Sequence, residues 1–386
     1  MWWHYLKFFH YFVTTFIGIA CIIAGGNLII LGFLLFIGIY VFGDSFLGDD
    51  LSRPRLQNKT FINCLLYLSV PLTALLFMSM LWLVSSFNFG IFAFVSQYLP
   101  VAIVETKLST NFIHIVFAIL FLGFLVSGTA TVVAHEFVHR INSPIDTCLG
   151  RWLMALSFDA NFSIEHVYNH HAKVATDADP VSAPRGRNVY THFVKAVIGT
   201  NKSSWQIEAK RLKQKQLKLF SFHNRCLRGY MMSITLAVLA VSFASWQGLL
   251  MFIAVGVSAK FILEVVNYME HYGLVRLPTA RVRPAHSWNS NRKVSNWTMF
   301  NLPRHSHHHA NASVPFQRLH PMAGSPTMIS GYITTIFIAL IPPLWFRLMA
   351  PKLEEWDAKH ATPEELTIIA DQEQLMPRSF VAKLIY

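Results

Sequence analysis

Six stretches of this chain, 10–24, 27–44, 61–87, 111–134, 229–245 and 247–268, are apolar and almost free of charge. A helix crossing a bilayer needs about 20 mostly apolar residues. Lipid offers no partner to an unpaired backbone amide, so such segments must satisfy their hydrogen bonds internally, as helices do. Only 13% of the 386 residues are charged, roughly half the share in a soluble domain. The expected fold is an all-α integral membrane protein of about six transmembrane helices with a cytosolic helical cap. The first two spans join at Gly25-Gly26, and the last two part around Ser245-Trp246-Gln247-Gly248. The apolar stretch 327–349 contains Pro342-Pro343 and reads as an interfacial or re-entrant helix. The aromatic start, MWWHYLKFFHYF, has no small-residue cleavage site and reads as an interfacial anchor.

Basic residues orient the spans. With the N-terminus inside, the polar segments 44–60, 135–228 and 269–386 are inside too, and all of the 32 Lys and Arg except Lys107 and Lys260 lie there. The net charge of +12 therefore reports topology before it reports a partner, and nucleic acid is not implied. Lys260 falls within a span, where Glu264 one turn later can pair with it. Segment 202–219 reads as a basic surface helix, lying on the membrane or serving as a docking face for an acidic redox protein.

Of eighteen histidines, ten fall in four short clusters. HEFVHR (135–140) follows the fourth span, and its His135 and His139 share a helical face. In EHVYNHH (165–171), His166 and His170 are expected to share a face, with His171 turned toward a second metal. NYMEHYGL (267–274) puts His271 where the sixth span ends. In RHSHHHA (304–310), His305, His308 and His309 have same-face spacing and His307 points elsewhere. Histidines 4, 10, 114, 192, 223, 286, 320 and 360 read as ordinary interfacial or structural side chains. The topology brings the four clusters to one side of the membrane. Nine imidazoles exceed the four or so ligands of one ion, so two metals are expected, and imidazole alone does not select among zinc, copper, iron and nickel. Glu136, Glu165 and Glu270 each adjoin a histidine, and each is expected to accept an imidazole N–H from a different one. Helix capping, or a salt bridge to Arg140 or Arg304, is the alternative. The four cysteines form no CxxC pair and the chain has no GxGxxG turn, so electrons for any redox chemistry must come from a separate protein.

These four motifs resemble, in order and spacing, the signatures of the membrane alkane 1-monooxygenases, and HSWNSN (286–291) resembles that family as well. The tail IPPLWFRLMAPKLEEWDAKHATPEE is similar to the hydroxylase subunit of xylene monooxygenase. The resemblance covers about residues 44–365. Membrane fatty-acid desaturases share the other three histidine boxes, whereas NYMEHYG belongs to the hydrocarbon monooxygenases. The resemblance implies six membrane helices; the chain reads as a single domain, 1–386, in a bacterial inner membrane, and the basic-residue count puts both termini in the cytosol. The resemblance also implies two non-haem irons held by His135, His139, His166, His170, His171, His271, His305, His308 and His309. The reaction implied is hydroxylation of an unactivated methyl group with O2 and two electrons, supplied by rubredoxin or a ferredoxin–reductase. Arg140, Asn169, Pro303 and His307 depart from the family's common Lys, Gly, Gln and Asp, and none removes a ligand. A membrane desaturase or lipid hydroxylase is the competing enzyme reading. A metal transporter is the competing non-enzyme reading, and it would place histidines at midplane on broken helices.

Overall fold

The computed structural model describes residues 2–54, 56 and 58–374; Met1 and 375–386, and with them the expected position of both termini, lie outside the described residues. Among these the regular secondary structure is helical, and the β pairing is limited to two isolated bridges, Asp49 with Arg292 and Asn289 with Thr327. Helices α1 (Phe9–Ala24) and α2 (Asn27–Leu47) are joined by Gly25 and Gly26, both at positive φ. A Cβ on Gly25 would stand 2.8 Å from the Lys107 Cα, so conformation and close approach both require glycine. Helix α3 (Lys59–Val84) is capped by the Asn58 side chain. Helix α4 (Phe112–His139) starts at a capping box formed by Asn111 and His114 and carries a π-helical segment, Ser127–Thr131.

Helix α4 continues past the expected end of its span at 134, so His135 and His139 ride on the spanning helix itself. No breaker intervenes until the Asn142-Ser143-Pro144 stretch, where Ser143 caps α5 (Pro144–Ala155) with proline at its first turn. Next come the short helical stretch α6 (162–173), α7 (Val189–Gln214) and α8 (Arg225–His271). The basic helix expected over 202–219 is the second half of α7 and stops at Gln214.

If straight, the 47 residues of α8 would run roughly 70 Å, twice what a bilayer core requires. The helix breaks at Ala244 and Ser245, one residue from the expected parting of the last two spans. Both arms then return to one place. Ser233 Oγ donates to the Ala155 carbonyl at 3.0 Å, and Lys260 Nζ pairs with Asp159 at 2.7 Å and Glu264 at 2.6 Å. The Lys260–Glu264 pair matches expectation; Asp159 completes it from a distant segment. After α8 come α9 (Lys293–Thr298), α10 (His305–Ala310), α11 (Tyr332–Ala339), α12 (Pro342–Lys359) and α13 (Pro363–Gln374). Helices α11 and α12 meet at a bend of 119°, where Pro342 opens the second helix.

Among the described residues, five stretches are long and apolar enough to cross a membrane: Trp3–Ala24, Asn27–Leu47, Lys59–Val84, Phe112–His139 and the two-armed Arg225–His271. Val13, Phe16, Leu31, Leu34, Phe42, Leu68, Ile113, Ile234 and Val238 all face outward, as a lipid solvent allows and water does not. The bundle has two distinct ends. One holds the Gly25-Gly26 turn, the 244–245 break and Lys107, whose ammonium donates to the Ser85 carbonyl and lies 4.0 Å from the Phe87 ring centroid. The other holds Lys7 paired with Asp50 at 3.0 Å, and Arg304 donating to the Asp50 carbonyl at 2.7 Å. All four histidine clusters gather at this second end.

Candidate metal centre

The nine imidazoles of the four clusters collect in two groups, in each of which the candidate donor nitrogens lie within 4.8 Å of one another. One group is His135, His139, His166, His171 and His308; the other is His170, His271, His305 and His309. Helix α4 supplies the first pair at i, i+4, α6 supplies three rings, α8 ends on His271, and α10 supplies the last three. Within the first group, Nε2 atoms stand 3.1 Å apart for His166 and His139, 3.2 Å for His171 and His139, and 3.1 Å for His308 and His171. Within the second, His309 lies 2.9 Å from His305 and 3.2 Å from His170, and His305 lies 3.3 Å from His271. Nitrogens bound at about 2.1 Å to one ion stand roughly 3.0 Å apart at right angles and 3.4 Å apart in a tetrahedron. The two sets therefore fit a cation each.

The partition of the rings differs from the sequence reading, and backbone geometry explains why. His166–His170 is a π-helical segment. Its wider turn brings residues five apart onto one side, so His166 faces the same group as His171 while His170, four residues on, turns to the other. In α10 the i, i+4 pair His305 and His309 faces one group, and His308 faces the first. His307 stands apart, its ring 4.1 Å from that of His320 and its Nδ1 accepting the His320 amide.

Electrostatics suit metal binding. Burial, then the neighbouring imidazoles, holds the pKa values of His166, His171, His305, His308 and His309 well below the ordinary histidine range, so these rings are neutral and their lone pairs free. His170 is the exception. Burial pushes it down, but the Asp179 carboxylate, 2.9 Å from its Nδ1, outweighs that and raises it. Asp179 in turn accepts from the Ser182 hydroxyl at 2.6 Å. This oriented carboxylate escaped sequence reasoning because it sits in a loop, at no helical spacing from any cluster.

The three glutamates depart from the expected role of N–H acceptor. Glu136 takes the alternative and pairs with Arg140 at 3.2 Å while accepting the Phe316 amide. Glu165 accepts from the Asn169 side chain at 2.9 Å, one turn along its own segment. Glu270 does meet a histidine, His305, but at Nε2, the edge turned to the other rings. The HSWNSN segment braces the site from behind. The Trp288 amide donates to the Glu270 carbonyl at 2.8 Å, and Ser306, between two cluster-four histidines, donates to the Ser287 carbonyl at 2.6 Å.

An apolar cavity runs between α1, α2, α4, α8 and α11, lined in part by Phe36, Phe124, Ile262, Leu263, Ile333 and Ile336. Its other walls include Thr131 and Val132, one turn before His135, and Leu302, three residues before His305, so it approaches the imidazole groups. Of the polar side chains on its wall, Tyr11 donates to the Thr129 carbonyl at 3.3 Å and Thr15 to the Tyr11 carbonyl at 2.7 Å, whereas the buried Thr131 hydroxyl has no hydrogen-bond partner among the described residues.

Residues 110–328 match the sequence model of the family described as fatty acid desaturase. The chain is 37% identical over 261 residues to alkane 1-monooxygenase 1 of Pseudomonas aeruginosa, covering 66% of this chain and 67% of that one. It is 31% identical over 338 residues to alkane 1-monooxygenase 1 of Alcanivorax borkumensis, covering 84% and 77%. With the xylene/toluene monooxygenase hydroxylase component of Pseudomonas putida it shares 33% identity over 242 residues, 62% and 65% of the two chains.

Proposed function

The chain belongs to the alkane 1-monooxygenase family of integral membrane proteins, and on that premise we propose that it is a di-iron enzyme hydroxylating a terminal or benzylic methyl group of a hydrocarbon. The observation that carries this reading is the pair of imidazole groups near an apolar cavity between the spanning helices. Bound there, two irons would supply the reduction of O2 and the oxidant for an unactivated C–H bond. The protein's own contribution is placement. The five-histidine group would hold one ion and the four-histidine group the other, with His170 oriented by Asp179. An alkyl chain offers no charge or hydrogen bond to recognise, so the cavity must select it by shape. The apolar wall also keeps water from the reacting centre.

We read 1–386 as one membrane-embedded domain in a bacterial inner membrane, with the histidine end cytosolic, as the basic excess supports. Rubredoxin or a ferredoxin–reductase is the electron donor of this reading. Purified protein should carry about two irons per chain, and products from n-alkanes and xylenes should be alcohols by mass spectrometry. Unsaturated products would favour a desaturase instead. His271→Ala should lose metal and activity together; a fully active variant would remove His271 from the ligand set.

A further inference from the structure

Glu270 is buried at the end of α8, and its two carboxylate oxygens face different partners. Oε1 accepts from the Tyr332 hydroxyl at 2.6 Å. Oε2 lies 3.2 Å from His305 Nε2. That nitrogen is the one His305 turns toward His309, at 2.9 Å, and His271, at 3.3 Å. The carboxylate oxygen therefore stands beside the metal-facing nitrogen of His305, at the spacing that neighbouring ring nitrogens keep within each group. A carboxylate that orients a ligand sits behind the ring, as Asp179 does at His170 Nδ1; one at the metal-facing nitrogen reaches for the same ion.

We infer that Glu270 is an oxygen ligand of the ion held by His170, His271, His305 and His309, a step that rests on the proposed metal-binding reading. The donor count agrees. The other group offers five imidazoles and this one four, so Glu270 evens them. Charge agrees as well, because a buried carboxylate needs a compensating cation or a full set of hydrogen bonds. Glu136 has Arg140, whereas the described hydrogen-bonding neighbours of Glu270 are a phenol and an imidazole, neither a fixed cation. Tyr332 occupies Oε1 and leaves only Oε2 for the metal. Tyr332 also lines the cavity, so its hydroxyl links the cavity wall to the ligand set.

The test uses the full chain in detergent, stripped of metal, reloaded with iron-57 and read by Mössbauer spectroscopy and metal analysis. Wild type should show two doublets of similar area. Glu270→Gln, which keeps shape and removes charge, should change one doublet and leave the other in place. It should also release that ion to a chelator about tenfold more readily. Tyr332→Phe should retain both ions and shift the same doublet. A Glu270→Gln spectrum superimposable on wild type overturns the assignment. If that variant does not fold, an unchanged spectrum in Tyr332→Phe overturns it instead. Wild-type protein that takes up no iron defeats the metal reading itself, and the wild-type sample alone reports that outcome.

Discussion

Asp179 and Glu165 illustrate what a single side chain reveals only in three dimensions. Glu165 adjoins His166 in sequence, yet its carboxylate turns to Asn169. Asp179, eight residues beyond the second cluster, fixes His170. Helical spacing exposes residues that share a face, so all nine imidazoles were legible in the sequence. A loop carboxylate has no such periodicity, and an adjacent helical residue points about 100° away from its neighbour, which is why proximity in sequence misled for Glu136 and Glu165. Asp179→Asn keeps the shape at this position but removes the charge that holds the His170 tautomer. Metal affinity should fall about 10- to 100-fold, read by competition against a chelator, with the helical content by circular dichroism unchanged. Affinity equal to wild type would mean that packing alone orients His170.

Helices were the most legible level of this molecule, because uncharged apolar runs announce themselves and asparagine or serine caps mark five of the described starts. The two π segments were not legible, since no composition distinguishes them from α-helix. One decides which histidine faces which group. The other, Ser127–Thr131, lies on the cavity and contains Gly128, where an added Cβ would meet no atom within 4 Å. Gly128 lines the cavity, so a larger side chain there should extend into it without displacing a neighbour. Gly128→Leu is expected to shorten the longest hydrocarbon accepted while leaving the shortest substrates turned over at near wild-type rates. A homologous series of alkanes or alkylbenzenes, with products quantified for each length, tests this. A uniform loss at every length would show that the variant disturbs the metal end of α4 rather than the cavity.

At the scale of the whole molecule, the charge pattern supports one orientation of the chain, but it does not say which basic surface stands nearest the metals. The cysteines 21, 64, 148 and 226 are scattered and free, so two electrons per turnover must arrive from outside. The basic run in α7 is thinner than its sequence suggests, because Arg211 is tied to the buried Glu208. Lys210, Lys213 and Lys215 remain exposed there. A second basic surface is a groove lined by Arg53, Lys59, Arg318, His307 and His320. Arg53, Lys59 and Arg318 are exposed at its rim. His307 is the chain neighbour of His308, a member of the five-histidine group, so an electron arriving in this groove has a short covalent path to that group. An acidic donor should therefore engage the groove more strongly than α7. Arg318→Glu and Lys59→Glu are expected to raise the donor's KM several-fold and flatten its salt dependence, since exposed charges are screened beyond about 8 Å at 0.15 M. Lys213→Glu should change either quantity little. Turnover driven by a small chemical reductant should be the same in all three variants, which separates docking from damage to the metal site. A larger effect from Lys213→Glu than from Arg318→Glu would move the docking face to α7.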